Sequence, residues 1–147
     1  MRLVTDRRYR FPFSQHEFWQ RISNVGDYQS WWPWLRAFDG HRLRTGEVWA
    51  CAVHPPLPYV VRFEITLDEI VPETLVAGTI SGDIVGRAEL SIEGDAASGC
   101  AVRLVADLSP AKQSLRVMSL AARPMVRFGH NWVMDVGVRQ FLERSRR

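Results

Sequence analysis

From Tyr59 to Asp68 the chain alternates strictly, with Tyr59, Val61, Phe63, Ile65 and Leu67 on one side and Val60, Arg62, Glu64, Thr66 and Asp68 on the other. A period of two with one apolar side predicts a half-buried β-strand. Ala88, Leu90 and Ile92 against Arg87, Glu89, Ser91 and Glu93 repeat the pattern. The run Cys100, Val102, Leu104, Ala106 and Leu108 against Ala101, Arg103, Val105 and Asp107 follows it more loosely. Turn signals interrupt Leu35 to Leu108 at short intervals: Asp39-Gly40, Thr45-Gly46, Pro55-Pro56-Leu57-Pro58, Pro72-Glu73, Ser81-Gly82-Asp83, Glu93-Gly94-Asp95 and Ser98-Gly99. They divide the stretch into six strands, and connections this short favour antiparallel neighbours. Leu3 to Phe13, closed by Pro12, predicts a further strand, which makes about seven.

Two segments break this rhythm. Ser14 offers an N-cap oxygen with Glu17 three residues on, and Phe18, Trp19 and Ile22 supply the apolar spacing of a short helix ending at Asn24 to Gly26. Asp27, Tyr28 and the Trp31-Trp32-Pro33-Trp34 cluster predict a second short helix broken by Pro33. After Ser109 the period lengthens to about 3.6 residues, and Pro110 suits the first position of a helix behind a serine cap. Leu115, Met118, Ala122, Met125, Val126, Val133 and Val136 line one side of that helix. Pro124 lies inside it and predicts two helical segments, the second reaching about Leu142.

The expected fold is therefore α+β. A seven-stranded antiparallel sheet with one wet face must cover its other face, and the C-terminal helix is the large element left to do so. A twisted sheet curled around one helix leaves space where the two diverge, and space between apolar walls suits a ligand. No linker, repeat or compositional break divides residues 1–147 into more than one domain.

The order of these elements resembles the START-like, or Bet v 1-like (SRPBCC), superfamily, and within it the polyketide cyclase/dehydrase and lipid-transport group. The resemblance rests on Val25 to Trp34 after the first helix, on Tyr59 to Asp68, on Ser81-Gly82-Asp83-Ile84-Val85-Gly86, and on Arg123-Pro124 followed by His130 and Met134. It implies a helix-grip fold whose cavity holds lipids, sterols, polyketides or other apolar molecules. Some members catalyse cyclisation or dehydration and many only carry ligand. It implies no catalytic residue set, because the group has no universal signature and fold does not fix function.

Composition narrows the classes further. An apolar fraction of 46% with 24% charged residues argues against a disordered or coiled-coil chain. Nineteen Lys and Arg against sixteen Asp and Glu leave +3, with the arginines spread along the chain and a basic cluster only at Arg144, Arg146 and Arg147, which argues against nucleic acid. Cys51 and Cys100 are too few for a disulfide framework and lack zinc-site spacing. Asp6, Arg7, Arg8 and Arg10 interrupt what a signal peptide would need as an apolar stretch, and no later run is long enough for stable membrane insertion. The expectation is a cytoplasmic protein.

The candidate ligand-binding residues are Trp32, Trp34, Trp49, Tyr59, Phe63, Val126, His130 and Met134. Trp31, Trp32 and Trp34 could line a cavity or its entrance, or pack as core beneath the short helices. Trp49, Tyr59 and Phe63 fall on the inward face, where core and cavity wall are the same surface, and Cys51 is in phase with Trp49. Val126, Val133, Met134, Gly137 and Phe141 surround His130 at helical spacing, so its imidazole could meet a ligand oxygen or a backbone carbonyl. His54 precedes a stiff proline loop that could act as a lid, while His16 and His41 read as solvated. No metal, cofactor or nucleophile motif is found, and no catalytic residue is assigned. The reading is a monomeric or homodimeric protein that binds or carries an apolar small molecule. The alternative is a cyclase, aromatase or dehydratase moving protons through His130 or Tyr59, and a third reading uses the Trp cluster as a partner anchor.

Overall fold

The computed structural model describes residues 2–94 and 99–145, Ser119 by its backbone alone. The turn residues Asp95 and Ser98 and the basic Arg146 and Arg147 lie outside them. In chain order the elements are β1 (Leu3–Phe11), α1 (Gln15–Ser23), a 3-10 turn (Val25–Asp27), α2 (Tyr28–Trp31), β2 (Leu35–Asp39), β3 (Val48–Val53), β4 (Val61–Val71), β5 (Leu75–Gly82), β6 (Ile84–Gly94), β7 (Cys100–Pro110), α3 (Gln113–Ala121) and α4 (Arg123–Arg144). The seven strands form one antiparallel sheet in the order β1-β7-β6-β5-β4-β3-β2. β2 to β7 form a meander, and β1 closes against the last strand. Register shifts at Leu35/Ala37 and at Leu67/Glu69 mark bulges, which bend a strand and help the sheet curve.

The expected caps and breaks appear with two exceptions. Ser14 accepts the Glu17 backbone N–H at 3.1 Å, while the Glu17 carboxylate turns to Arg21 Nε at 3.0 Å instead of closing a capping box. α2 ends at Trp31, two residues before Pro33. Ala122, at φ −137° and ψ 53°, separates α3 from α4, and Pro124 sits in the first turn of α4, where its missing N–H costs nothing. Pro110 departs from expectation. It ends β7 opposite Ile84, and the helix starts only at Gln113. The reason lies across the sheet: the Asp83 carbonyl accepts the N–H groups of both Ala111 (2.8 Å) and Lys112 (3.1 Å), holding the chain extended past the proline. Asp83 also exchanges bonds with Arg62, its Oδ2 accepting the Arg62 N–H and its own N–H going to the Arg62 carbonyl, each at 2.9 Å. The turn between β5 and β6 thus ties β4 to the entry of α3.

The two ends of the grip are filled differently. Under α1, the rings of Phe11, Phe18, Trp31 and Phe141 pack with centroids 5.2–5.6 Å apart, several edge to face. Tyr28, Trp32, Phe38 and Trp49 continue this aromatic core beside β2 and β3. The Tyr28 hydroxyl is satisfied by the Ile22 carbonyl at 2.5 Å. At the other end, below α3 and the first half of α4, the facing strands carry small residues. The register places Gly78, Ala88, Ala106 and Thr5 side by side across β5, β6, β7 and β1. Aromatic side chains fill one end, and methyl groups and a hydrogen leave the other hollow.

Candidate functional site

The hollow is a cavity of about 280 Å³ between the concave face of the sheet and the two C-terminal helices. That lies just below the roughly 300–1,000 Å³ that ligand sites usually span. Its floor comes from Phe63 and Ile65 of β4, Ile80 of β5, Ile84 and Ala88 of β6, and Leu104, Ala106 and Leu108 of β7. Leu115, Val126, Gly129, His130, Val133 and Met134 form the helical roof, and Pro55 and Tyr59 close one side. No Asp, Glu, Lys or Arg is among the lining residues.

Two of these side chains supply most of the polarity. His130 Nε2 lies 2.6 Å from Thr5 Oγ1, a hydroxyl that is itself buried. The inward alternation of β1 that places Thr5 there also directs Arg7 at α4, where it pairs with Asp135. Burial, and then the nearby Arg7 charge, hold the His130 pKa below the ordinary histidine value, so the ring is neutral near pH 7. The Tyr59 hydroxyl rests on Gly129, the neighbour of His130. A Cβ at Gly129 would fall 2.1 Å from Tyr59 Oη, so only glycine admits the ring there. Burial raises the Tyr59 pKa. A neutral imidazole on α4 and a neutral phenol from the segment before β4, resting on the next position of that helix, therefore meet the same apolar cavity.

The His130 shift has a measurable consequence. A histidine depressed in the folded state is protonated first in the unfolded chain, so the unfolded state binds more protons between the folded pKa and about 6.5. Stability is accordingly expected to fall as pH drops from 7.5 towards 5, and His130→Gln should flatten that slope in thermal melts. Asp6 and Asp107, held below the ordinary carboxylate range mainly by hydrogen bonds from Arg103 and Arg2, titrate below this window. An identical slope in the variant would remove His130 as its cause.

Of the candidates read from the sequence, the structure brings Tyr59, Phe63, Val126, His130 and Met134 together around the cavity. Trp32, Trp34 and Trp49 are not among its lining residues. Trp32 Nε1 donates to the Gly137 carbonyl at 2.8 Å, Trp34 Nε1 to Gln140 Oε1 at 2.8 Å, and Trp49 Nε1 to the Arg42 carbonyl at 3.0 Å. The first two indoles stack with centroids 5.5 Å apart and dock on α4 at Gly137. Cys51 is also in the core, and burial pushes its thiol up to about 12, which keeps it protonated and inert. His54 bonds the Leu57 carbonyl within the proline loop (3.2 Å), whose Pro55 reaches the cavity. Thr5 was not singled out in the sequence. The signal was a polar residue in the inward phase of β1, whose partner stands 125 positions away. Another such residue is Tyr9, whose hydroxyl is buried beside the Arg7 guanidinium.

A curved seven-stranded antiparallel sheet gripping a C-terminal helix, with short helices after the first strand, is the helix-grip fold of START-like and Bet v 1-like (SRPBCC) proteins. Among solved structures, the chain is similar to the Zhui aromatase/cyclase of a Streptomyces species, with a TM-score of 0.80 and 12% identity over 100% of this chain and 95% of that one. It is also similar to a START superfamily protein of Mycobacterium smegmatis (TM-score 0.74, 9% identity, 97% of each chain covered). Norcoclaurine synthase of Thalictrum flavum, in complex with dopamine and hydroxybenzaldehyde, matches at a TM-score of 0.66 and 10% identity over 98% of this chain and 88% of that one. At such identities the likeness is one of fold. No protein-family model matches the chain, and no curated protein matches it in sequence.

Proposed function

We propose that the protein binds and carries a hydrophobic or aromatic small molecule, lipid-like or polyketide-like, inside the cavity between sheet and α4. The observation that carries this reading is an apolar space of about 280 Å³ whose lining holds no formally charged residue and only a few polar groups, His130 and Tyr59 foremost. Such a wall favours a mostly apolar ligand and offers an imidazole and a phenol to one or two oxygens of it. An aromatase/cyclase and a synthase crystallised with two small aromatic compounds share the fold, which supports an aromatic ligand. The carrier acts as one helix-grip domain in the cytoplasm, as a monomer or homodimer. Among the described residues no helix is long and apolar enough to cross a membrane.

A second reading is favoured by the juxtaposition of His130, bonded to Thr5, with the Tyr59 hydroxyl against Gly129. In a cyclase, aromatase or dehydratase these groups would hold a poly-carbonyl chain and move protons. Native mass spectrometry of gently purified protein is expected to show a retained small molecule, and a neutral naphthylamine dye is expected to bind and be displaced by apolar aromatics. A folded protein that takes up neither would overturn the carrier reading. For the catalytic reading, His130→Ala and Tyr59→Phe should each lower turnover of poly-carbonyl substrates by about 10²-fold or more. Unchanged turnover in both would overturn it.

A further inference from the structure

We propose that α3 and the start of α4 form a surface that docks the protein, peripherally, on anionic lipid membranes. Between Asp107 and Asp135 the chain carries Lys112, Arg116, Arg123 and Arg127 and no Asp or Glu. This segment thus carries +4, while the other fifteen cations and sixteen acids of the chain nearly balance. The helices here also carry large apolar side chains on their exposed side. Leu115 and Val126 face inward and are buried, yet Val117, Leu120 and Phe128 are 57%, 75% and 52% exposed. Val117 and Leu120 are three apart on α3, neighbours on its surface.

A helix that is apolar both inside and outside normally has a second apolar partner. Among the described residues nothing covers these outer side chains. Isolated exposed apolar side chains are ordinary on protein surfaces, but here they stand in a segment that carries four cations and no acid of its own. That pairing is what a helix lying in the interface of an anionic bilayer presents: apolar side chains enter the acyl boundary and arginines reach the headgroups on their aliphatic stems. Charge complementarity selects phospholipid headgroups of negative charge. The position suits exchange of an apolar molecule, since Leu115, Val126 and Gly129 of the same two helices roof the cavity. The docking itself does not depend on what the cavity holds.

Sedimentation of the full chain with vesicles tests this. Binding to mixed phosphatidylcholine/phosphatidylglycerol vesicles is expected to exceed binding to pure phosphatidylcholine by about tenfold or more and to weaken in raised salt. Each arginine near such a surface is worth roughly fivefold in affinity, so Arg123→Glu with Arg127→Glu should cost more than about tenfold. Leu120→Ser with Phe128→Ser should lower binding by about tenfold through lost apolar contact. Arg8→Glu with Arg36→Glu makes the same charge change on exposed strand positions and should leave binding within about twofold, since distant charges are screened. Circular dichroism melts establish that each variant folds, and Arg123→Gln with Arg127→Gln replaces any that does not. Equal binding to both vesicle types, or equal loss in the Arg8/Arg36 and Arg123/Arg127 pairs, would overturn the proposal. So would binding to acidic proteins with none to vesicles.

Discussion

Ala88→Phe is expected to abolish occupation of the cavity while leaving the fold intact. Ala88 lines the floor of the cavity and stands between Gly78 and Ala106 in a row of small residues across β5, β6 and β7. A phenyl ring at this position has nowhere to go but the hollow above, because the flanking strands are fixed by the ladder. It would occupy the space a ligand needs and gain dispersion contacts that the empty wall lacks. Affinity for a neutral aromatic probe should fall by about 100-fold or more, whereas the thermal midpoint should hold or rise, since overpacking strain arises only where no space exists. Paired dye titration and thermal melting separate the outcomes. Undiminished binding by a stable Ala88→Phe protein would place the ligand elsewhere.

The largest effect on stability is expected from Gly86→Ala. Gly86 has φ +151°, a conformation L side chains rarely adopt, and a Cβ there would lie 1.9 Å from the Asp107 carbonyl oxygen. That atom is backbone of β7, so relief requires β6 and β7 to separate next to the pairs Ala88–Ala106 and Ile84–Pro110. A loss of about 3 kcal/mol or more is expected, lowering the midpoint by roughly 10 °C in a chain of this size. Gly26→Ala is the matched control: nothing lies within 4 Å of its Cβ position and its φ is not positive, so a change within about 0.5 kcal/mol is expected. A Gly86→Ala midpoint within error of the parent would contradict the close approach of the two strands.

The elements were legible in the sequence wherever a periodic pattern and a local signal agreed. Ser14 and Glu17 announce α1, the alternation after Val61 announces β4, and Pro124 announces the division between α3 and α4. Pro110 misled because a Ser-Pro pair suits a helix start locally, while the Asp83 carbonyl, on a different hairpin, holds Ala111 and Lys112 outside the helix. Five of the eight candidate site residues meet around the cavity. The three indoles do not line it, because their N–H groups find Gly137, Gln140 and Arg42 in the packed end of the grip. An inward phase is shared by core and cavity wall, so periodicity separates inside from outside but not filled from hollow.

By itself the sequence determined the number and order of strands and helices, the antiparallel pairing of the strands joined by short turns and the inward face of the clearly alternating ones, since these follow from local periodicity, turn residues and short connections. The pairing of β1 with β7 is a tertiary outcome. Only the tertiary structure decided where the hollow lies and what enters it. Strand register sets Gly78, Ala88, Ala106 and Thr5 in one row, and helix placement brings His130 to Thr5 and Gly129 to Tyr59. Each of these meetings joins residues distant in the chain, and no local pattern encodes the distance between them.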